Sequence, residues 1–130
     1  MEPIKKRKPI FVEVKDIDPG KRVNTYVLVK SLKVVFEKLR YDGSKIRVAE
    51  CVAGDETGCI NFVAKNEQLD TVKEGTSLIL RNAHANVVRG HIQLEVDRWG
   101  KIEVYDKGVK SVNTENDLSA TEYELVTVRK

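Results

Sequence analysis

The 130-residue chain is expected to fold as an all-β domain, a five-stranded Greek-key barrel with one short helix between its third and fourth strands. Three features lead there. Its strongest periodicities are those of strands, with β-branched and aromatic residues gathered between Gly, Pro, Asn and Asp turn signals. One helix-like stretch interrupts them in the middle. The last two expected strands also pair so that their residues sort into an apolar and a polar face.

The first strand spans Val23 to Glu37 (VNTYVLVKSLKVVFE), either as one long strand or as two meeting at a bend. Asp18-Pro19-Gly20 is a turn signal in front of it. Lys38–Lys45 then holds Asp42-Gly43, a hairpin dipeptide. Ile46–Ala53 is the second strand, Gly54–Gly58 a five-residue turn, and Cys59–Ala64 the third strand. A helix of about two turns is expected between Asn66 and Lys73. Asn66 is its N-cap, Leu69 and Val72 share one face, and Gly75 is the C′ residue. Strands return at Thr76–Val88 and His91–Asp97.

Around Arg89-Gly90, Val88 pairs with His91, Asn86 with Gln93 and His84 with Glu95. Val87, Ala85 and Ala83 then oppose Ile92, Leu94 and Val96, and a shift of one residue would scramble both faces. The second and third strands sort less cleanly. Val52 opposite Ile60 and Val48 opposite Ala64 look like core, but Glu50 then faces Phe62, which a bulge or a barrel corner would resolve. The expected core is Val27, Val29, Ile60, Phe62, Ile79, Leu94 and Val96, with Leu69 and Val72 plugging one end. Tyr26 and Phe36, inside the first strand, are read as core too.

This order of elements is that of the oligonucleotide-binding (OB) fold. An SH3-like barrel competes, but has no helix in that place. The composition suits a soluble globular domain, 41% apolar and 33% charged. No apolar run approaches the ~20 residues of a membrane helix. The opening MEPIKKRKPIF lacks the apolar stretch of a secretory signal. An intracellular location, nucleus or cytoplasm or both, is expected, in keeping with two cysteines that suit a reducing compartment. The net charge of +3 is front-loaded: residues 1–50 carry 13 basic and 7 acidic side chains. The cluster Lys5, Lys6, Arg7, Lys8 is either a nuclear import or phosphate-touching run or a solvated tail. Residues 1–10 are read as a basic tail, 11–105 as the barrel and 106–130 as an extension. Leu118, Tyr123, Leu125 and Val128 are too apolar for a free tail, so the extension should return to the barrel.

The segments FVEVKDIDPG (11–20), AECVAGDETGCINF (49–62) and LRNAHANVVRGHIQL (80–94) resemble the single-stranded-DNA-binding OB family of the SOSS complex, a relative of the replication protein A OB folds. A plant-type family of small OB-fold proteins is a fuller match, sharing VDRWGKIEV (96–104) and LSATEYELVTV (118–128). The resemblance covers about residues 11–128 and rests on the joint order of these blocks. It implies single-strand binding on the barrel face. In the SOSS-type proteins aromatics stack on bases there, and those positions here fall on Lys65, His84, Val88 and Glu95. Only His84 keeps a flat ring, and Glu95 repels phosphate. Each lost stack removes ~1–3 kcal/mol, so the resemblance implies weaker, charge-led binding.

The basic residues Arg40, Lys45, Arg47, Lys65, Arg81, Arg89 and Arg98 border the expected groove and would follow a phosphate backbone. Glu50, Asp55, Glu56, Glu95 and Asp97 are interleaved, so a mixed surface is the alternative. Tyr41 lies in the first interstrand loop, a usual ligand loop of the fold, and either stacks on a base or packs on its own loop. Trp99 is either a lid on the barrel end or a base platform. His84 meets a ligand or pairs with Glu95, and Asn86 joins it on the polar face.

No metal or other cofactor is expected, because Cys51, Cys59, His84 and His91 lack ligand spacing. The two cysteines fall opposite Asn61 and Ala53, not each other, so no disulfide is expected. Nor is an enzyme expected, since no nucleophile elbow, phosphate loop or placed carboxylate pair occurs. The function expected is binding of single-stranded DNA or RNA, G-rich structured targets included, and no membrane. The alternative is a protein-interaction module using the barrel face or an added strand at Thr121–Arg129.

Overall fold

The computed structural model describes residues 10–120. Six strands form one sheet: β1 (Arg22–Leu39), β2 (Lys45–Asp55), β3 (Gly58–Lys65), β4 (Ser77–Val88), β5 (His91–Glu95) and β6 (Lys101–Val104). They run β1-β2-β3-β5-β4, and β4 pairs back onto β1, which closes the ring. Of these six strands, β3 and β5 alone pair in parallel. The short β6, not expected from the sequence, adds to the first half of β4 through Leu78↔Val104 to Arg81↔Lys101. This is the closed OB barrel.

The β4–β5 register is the expected one, from His84↔Glu95 to Val88↔His91. The β2–β3 register is one residue away from expectation. The turn is the two residues Glu56 and Thr57, not five, so Asp55 meets Gly58 and Cys51 meets Phe62. The single slip exchanges the faces and removes the misplaced Glu50. Ala49, Cys51 and Ala53 now face inward opposite Ala64, Phe62 and Ile60, all buried. Gly54 permits this crossing, because a Cβ there would lie 2.2 Å from the Gly58 carbonyl oxygen. Cys51 and Cys59 are buried free thiols opposite Phe62 and Gly54. Loss of hydration raises both to about 11, aided at Cys59 by Asp117.

Two bulges in β1 change which side its residues face. Lys30 and Val35 are the extra residues between Val29/Ser31 and Val34/Phe36. A third bulge sets Arg81 and Asn82 together opposite Asn24, with Asn82 at φ +52°. The core holds Val27, Val29, Ile60, Phe62, Leu94 and Val96 as expected, and Leu78 and Leu80 with them. Ile79 is not a core residue: it alternates outward between those two leucines. Phe36 is not core either, but exposed on the overhanging end of β1. Tyr26 is half-buried on the outside, stacked at 4.4 Å on Phe11 and at 4.4 Å against Tyr105.

The expected helix is a single 3₁₀ stretch, Asn66–Asp70. Asn66 is not its N-cap. It stands at φ +52°, and its Oδ1 accepts from the Arg47 N–H, while Gln68 Oε1 accepts from the Lys65 N–H. Gly75 lies beyond the helix end, in a separate turn that donates to the Val29 carbonyl. Val72 is buried, and Leu69 packs on the core beside it.

After β6 the chain returns across the barrel. The Asn113 N–H donates to the Asp55 carbonyl, and Asp117 bridges to Cys59. Leu118 packs against the core. Ser119 is buried; its hydroxyl donates to the Ile92 carbonyl at 2.5 Å and accepts from the Asn61 N–H at 2.8 Å. The Lys5–Lys8 run, Tyr123, Leu125, Val128 and the expected strand at 121–129 lie outside the described residues.

Candidate nucleic-acid interface

Partners across a sheet share a face, so the pairings define the rows of the barrel's outer wall. One row runs Lys33, Glu50, Val63, Glu95, His84 across β1, β2, β3, β5 and β4. The next runs Ser31, Val52, Asn61, Gln93, Asn86. On the other side of the first row lies Phe36, Val48, Lys65. A shallow groove of about 480 Å³ follows this wall, with Lys65, Arg89 and His91 among its lining residues.

Of the expected site residues, the wall gathers Lys65, His84 and Asn86, with Arg89 at its rim. Glu95 sits among them. Lys65 Nζ lies 3.4 Å from Glu95 Oε2, and Asn86 Nδ2 donates to Glu95 Oε1. The groove is therefore mixed in charge rather than continuously basic. Arg89 and Gly90 form the β4–β5 turn at φ +53° and +84°, the signs a two-residue hairpin requires. At Arg89 a non-glycine residue carries that conformation, and its side chain is exposed.

Arg40 and Tyr41 stand at the tip of the β1–β2 hairpin, where Tyr41 is fully exposed. Asp42 ties this loop by accepting from the Ser44 N–H and hydroxyl, which lowers the pKa of its carboxyl group. Lys45 pairs with Glu37 at 3.4 Å. Arg47 is turned from the groove, 3.8 Å from Asp70, beside Leu69 and Val72.

Arg81 lies on a different wall, where it bonds Glu103 at 3.0 Å and covers the Phe11 ring. Trp99 is no lid: it is 67% exposed, with the Arg98 guanidinium over its ring at 4.9 Å. Its backbone N–H donates to Asp97, whose carboxylate also takes a two-point bond from Arg22. The Arg22 bond first, then the Trp99 N–H, hold that carboxyl down to about 2.

Phe36 is the residue sequence reasoning missed. It lies in line with Val48 and Lys65, on the side of the arm that continues the groove. The signal was the strand's length: 18 residues at about 3.3 Å each outrun a small barrel, so the second half must overhang it.

A closed five-stranded barrel with two loops flanking one wall is the OB architecture. Residues 17–104 match the family described as single-stranded DNA binding protein Ssb-like, OB fold. The chain belongs to that family. It is 38% identical over 133 aligned residues to the uncharacterized Arabidopsis thaliana protein At4g28440, covering 95% of this chain and 87% of that protein. The solution structure of the hypothetical Arabidopsis thaliana protein F20O9.120 superposes with a TM-score of 0.78 at 35% identity, over 100% of this chain and 97% of that one. The second OB-fold domain of replication protein A from Methanococcus maripaludis has the same fold, with a TM-score of 0.58 at 20% identity, over 78% of this chain and 100% of that one. The resemblance to small plant OB-fold proteins is thereby established.

Proposed function

We propose that the protein binds single-stranded nucleic acid along the outer wall of β2, β3 and β5, between the Arg40–Ser44 loop and the Arg89-Gly90 turn. The observation that carries this reading is the bracketing of one polar wall by two loops that each present an exposed arginine. Family membership supports it. Binding is electrostatic and weak, since the wall has few stacking rings. Arg40, Arg89 and Lys65 are the phosphate contacts, Tyr41 the stacking residue, and His84 and Asn86 the hydrogen-bonding edge. Trp99 lies outside this path. Lys45, at the hairpin base, pairs with Glu37, and Arg47 and Arg81 face away from the groove, so these three contribute little, whereas Lys65, though paired with Glu95, stands in the groove itself. The protein acts as a binding module inside the cell, in the nucleus or cytoplasm, and not as an enzyme. Its binding unit is residues 11–105, braced by the return of the chain through Asn113, Leu118 and Ser119.

The test is an anisotropy titration of labelled DNA, RNA and G-rich strands at several salt concentrations. Three contacts give a slope near −2, so fourfold more salt weakens binding by about 20-fold. Arg89→Glu weakens all three strands alike. Salt-independent binding refutes the electrostatic account. No binding at low salt moves the function to protein interaction, which Glu50 and Glu95 in the middle of the wall would suit.

A further inference from the structure

Beyond Val29 the first strand loses its second neighbour. Its pairing with β4 ends at Leu28↔Ser77, and the Val29 N–H and carbonyl close on Thr76 and Gly75. From Lys30 to Leu39 only β2 pairs with it. Among the described residues nothing bonds the main-chain groups along the other edge. That leaves ten residues, about 33 Å of open strand edge, longer than a typical whole strand.

The arm is apolar as well as open. Val34, Val35, Phe36 and Leu39 are all exposed by 45–65%. Recesses lie at both ends of this stretch. One of about 280 Å³ is lined by Leu32, Val34, Leu69 and Val72. The other, about 730 Å³ at the tip, is lined by Leu39, Arg40, Tyr41 and Ile46.

Charge selects the occupant. Residues 30–47 carry six basic side chains and two acidic ones, while residues 10–120 as a whole carry seventeen of each. The arm's net charge of +4 is thus set against −4 on the rest of the described chain.

We propose that the open edge of β1 is a docking surface for an acidic, extended segment of a partner protein, which adds to Lys30–Leu39 as a further strand. Main-chain bonds along the edge would hold the segment, the two recesses would take its apolar side chains, and Lys33, Lys38 and Arg40 would meet its carboxylates. A second copy of the chain does not suit the edge. Two arms side by side would oppose their positive charges, and lysines on an edge act against such self-pairing. Nucleic acid has the right charge but no run of alternating N–H and carbonyl groups to match a strand.

The test uses the full chain and a synthetic ten-residue peptide alternating Glu or Asp with Val or Thr. Its control replaces every acid with Lys. Amide hydrogen exchange and anisotropy are read together. The acidic peptide should slow exchange at edge amides within Lys30–Leu39 by at least about tenfold at saturation, and the lysine peptide should not. Lys33→Glu with Lys38→Glu should weaken the acidic peptide at least tenfold, with the melting temperature unchanged because both side chains are exposed. No protection at about 1 mM peptide, the weak end of recognition, overturns the proposal. So does equal binding of the lysine peptide. An oligothymidine strand that protects the same amides would assign the edge to nucleic acid. A concentration-dependent dimer that protects them would assign it to a second copy.

Discussion

Replacing Glu95 by Gln should tighten single-strand binding, and the groove geometry sets by how much. Glu95 stands on β5 between Val63 and His84, on the line a phosphate backbone would take across the wall. Its Oε2 holds Lys65 Nζ at 3.4 Å, while Oε1 accepts from Asn86. Gln keeps the length and can still accept from Asn86, but no longer occupies the lysine or repels a phosphate. Two unit charges about 5 Å apart interact by about 0.8 kcal/mol in bulk water and by more at a protein surface. A gain of about 1 kcal/mol follows, or about fivefold in Kd. The freed Lys65 also engages a phosphate more fully, steepening the salt slope by up to about 0.7. Folding should be nearly unaffected, since exposed ion pairs contribute about 0–1 kcal/mol. The assay is anisotropy of a labelled single strand at several salt concentrations. Glu103→Gln, which frees Arg81 on the other wall, is the control. If Glu95→Gln leaves affinity and slope unchanged, the strand does not cross this wall. If both variants tighten binding equally, only net charge matters and the groove has no special role.

Three further outcomes are expected. Tyr41→Ala should weaken single-strand binding by ~1 kcal/mol or more through loss of a stack, with an unchanged melting curve because the ring is fully exposed; an unchanged affinity removes Tyr41 from the site. Ser119→Ala should destabilise the fold by about 1–3 kcal/mol in urea denaturation, because it leaves the Asn61 N–H and the buried Ile92 carbonyl without that partner. Asp97, held to about 2 when folded, lends stability above its unfolded value of about 4 and loses it as the pH falls toward 2. Asp97→Asn should therefore lower the melting temperature at pH 7 and flatten its fall between those two values.

Where alternation was unbroken, the sequence was enough. The β4–β5 hairpin was legible because its turn is two residues long and its faces separate, with Val88 the one apolar residue on the polar side. The β2–β3 hairpin was not, because GDETG reads as a five-residue turn where the strands in fact close to a two-residue one, and the one-residue slip in register inverts every face. The three bulges are the deeper obstacle. Lys30, Val35 and the Arg81-Asn82 pair each reset the period without a local mark such as glycine. That is why Ile79, which shares its parity with Ala83 and Ala85, reads as core; Phe36 reads as core only because it lies inside a strand, and the overhang leaves it exposed. Arg81 reads as a groove residue from its charge alone; it sits in the bulge itself and faces Phe11 and Glu103, while His84, beyond it, faces the groove. The loop residues Arg40, Tyr41 and Arg89 needed no period at all, since two turn dipeptides fixed them.

The division of charge links the two binding surfaces. The arm is the positive pole of the described chain, and its tip carries Arg40 and Tyr41, which serve the proposed nucleic-acid path. An acidic strand laid along Lys30–Leu39 would neutralise that pole and place carboxylates next to the same tip. The two ligands should therefore oppose each other even without overlapping. By linkage the opposition is reciprocal: the factor by which the peptide weakens the strand equals the factor by which the strand weakens the peptide. Loss of one tip contact and added repulsion together amount to about 1–2 kcal/mol, or roughly 5- to 30-fold. Measuring strand affinity by anisotropy with and without saturating acidic peptide, and then the converse, checks both factors. Equal factors in that range place the arm between the two sites. A factor of one in both directions would separate the peptide edge from the nucleic-acid path and leave the arm's charge to serve only one of them.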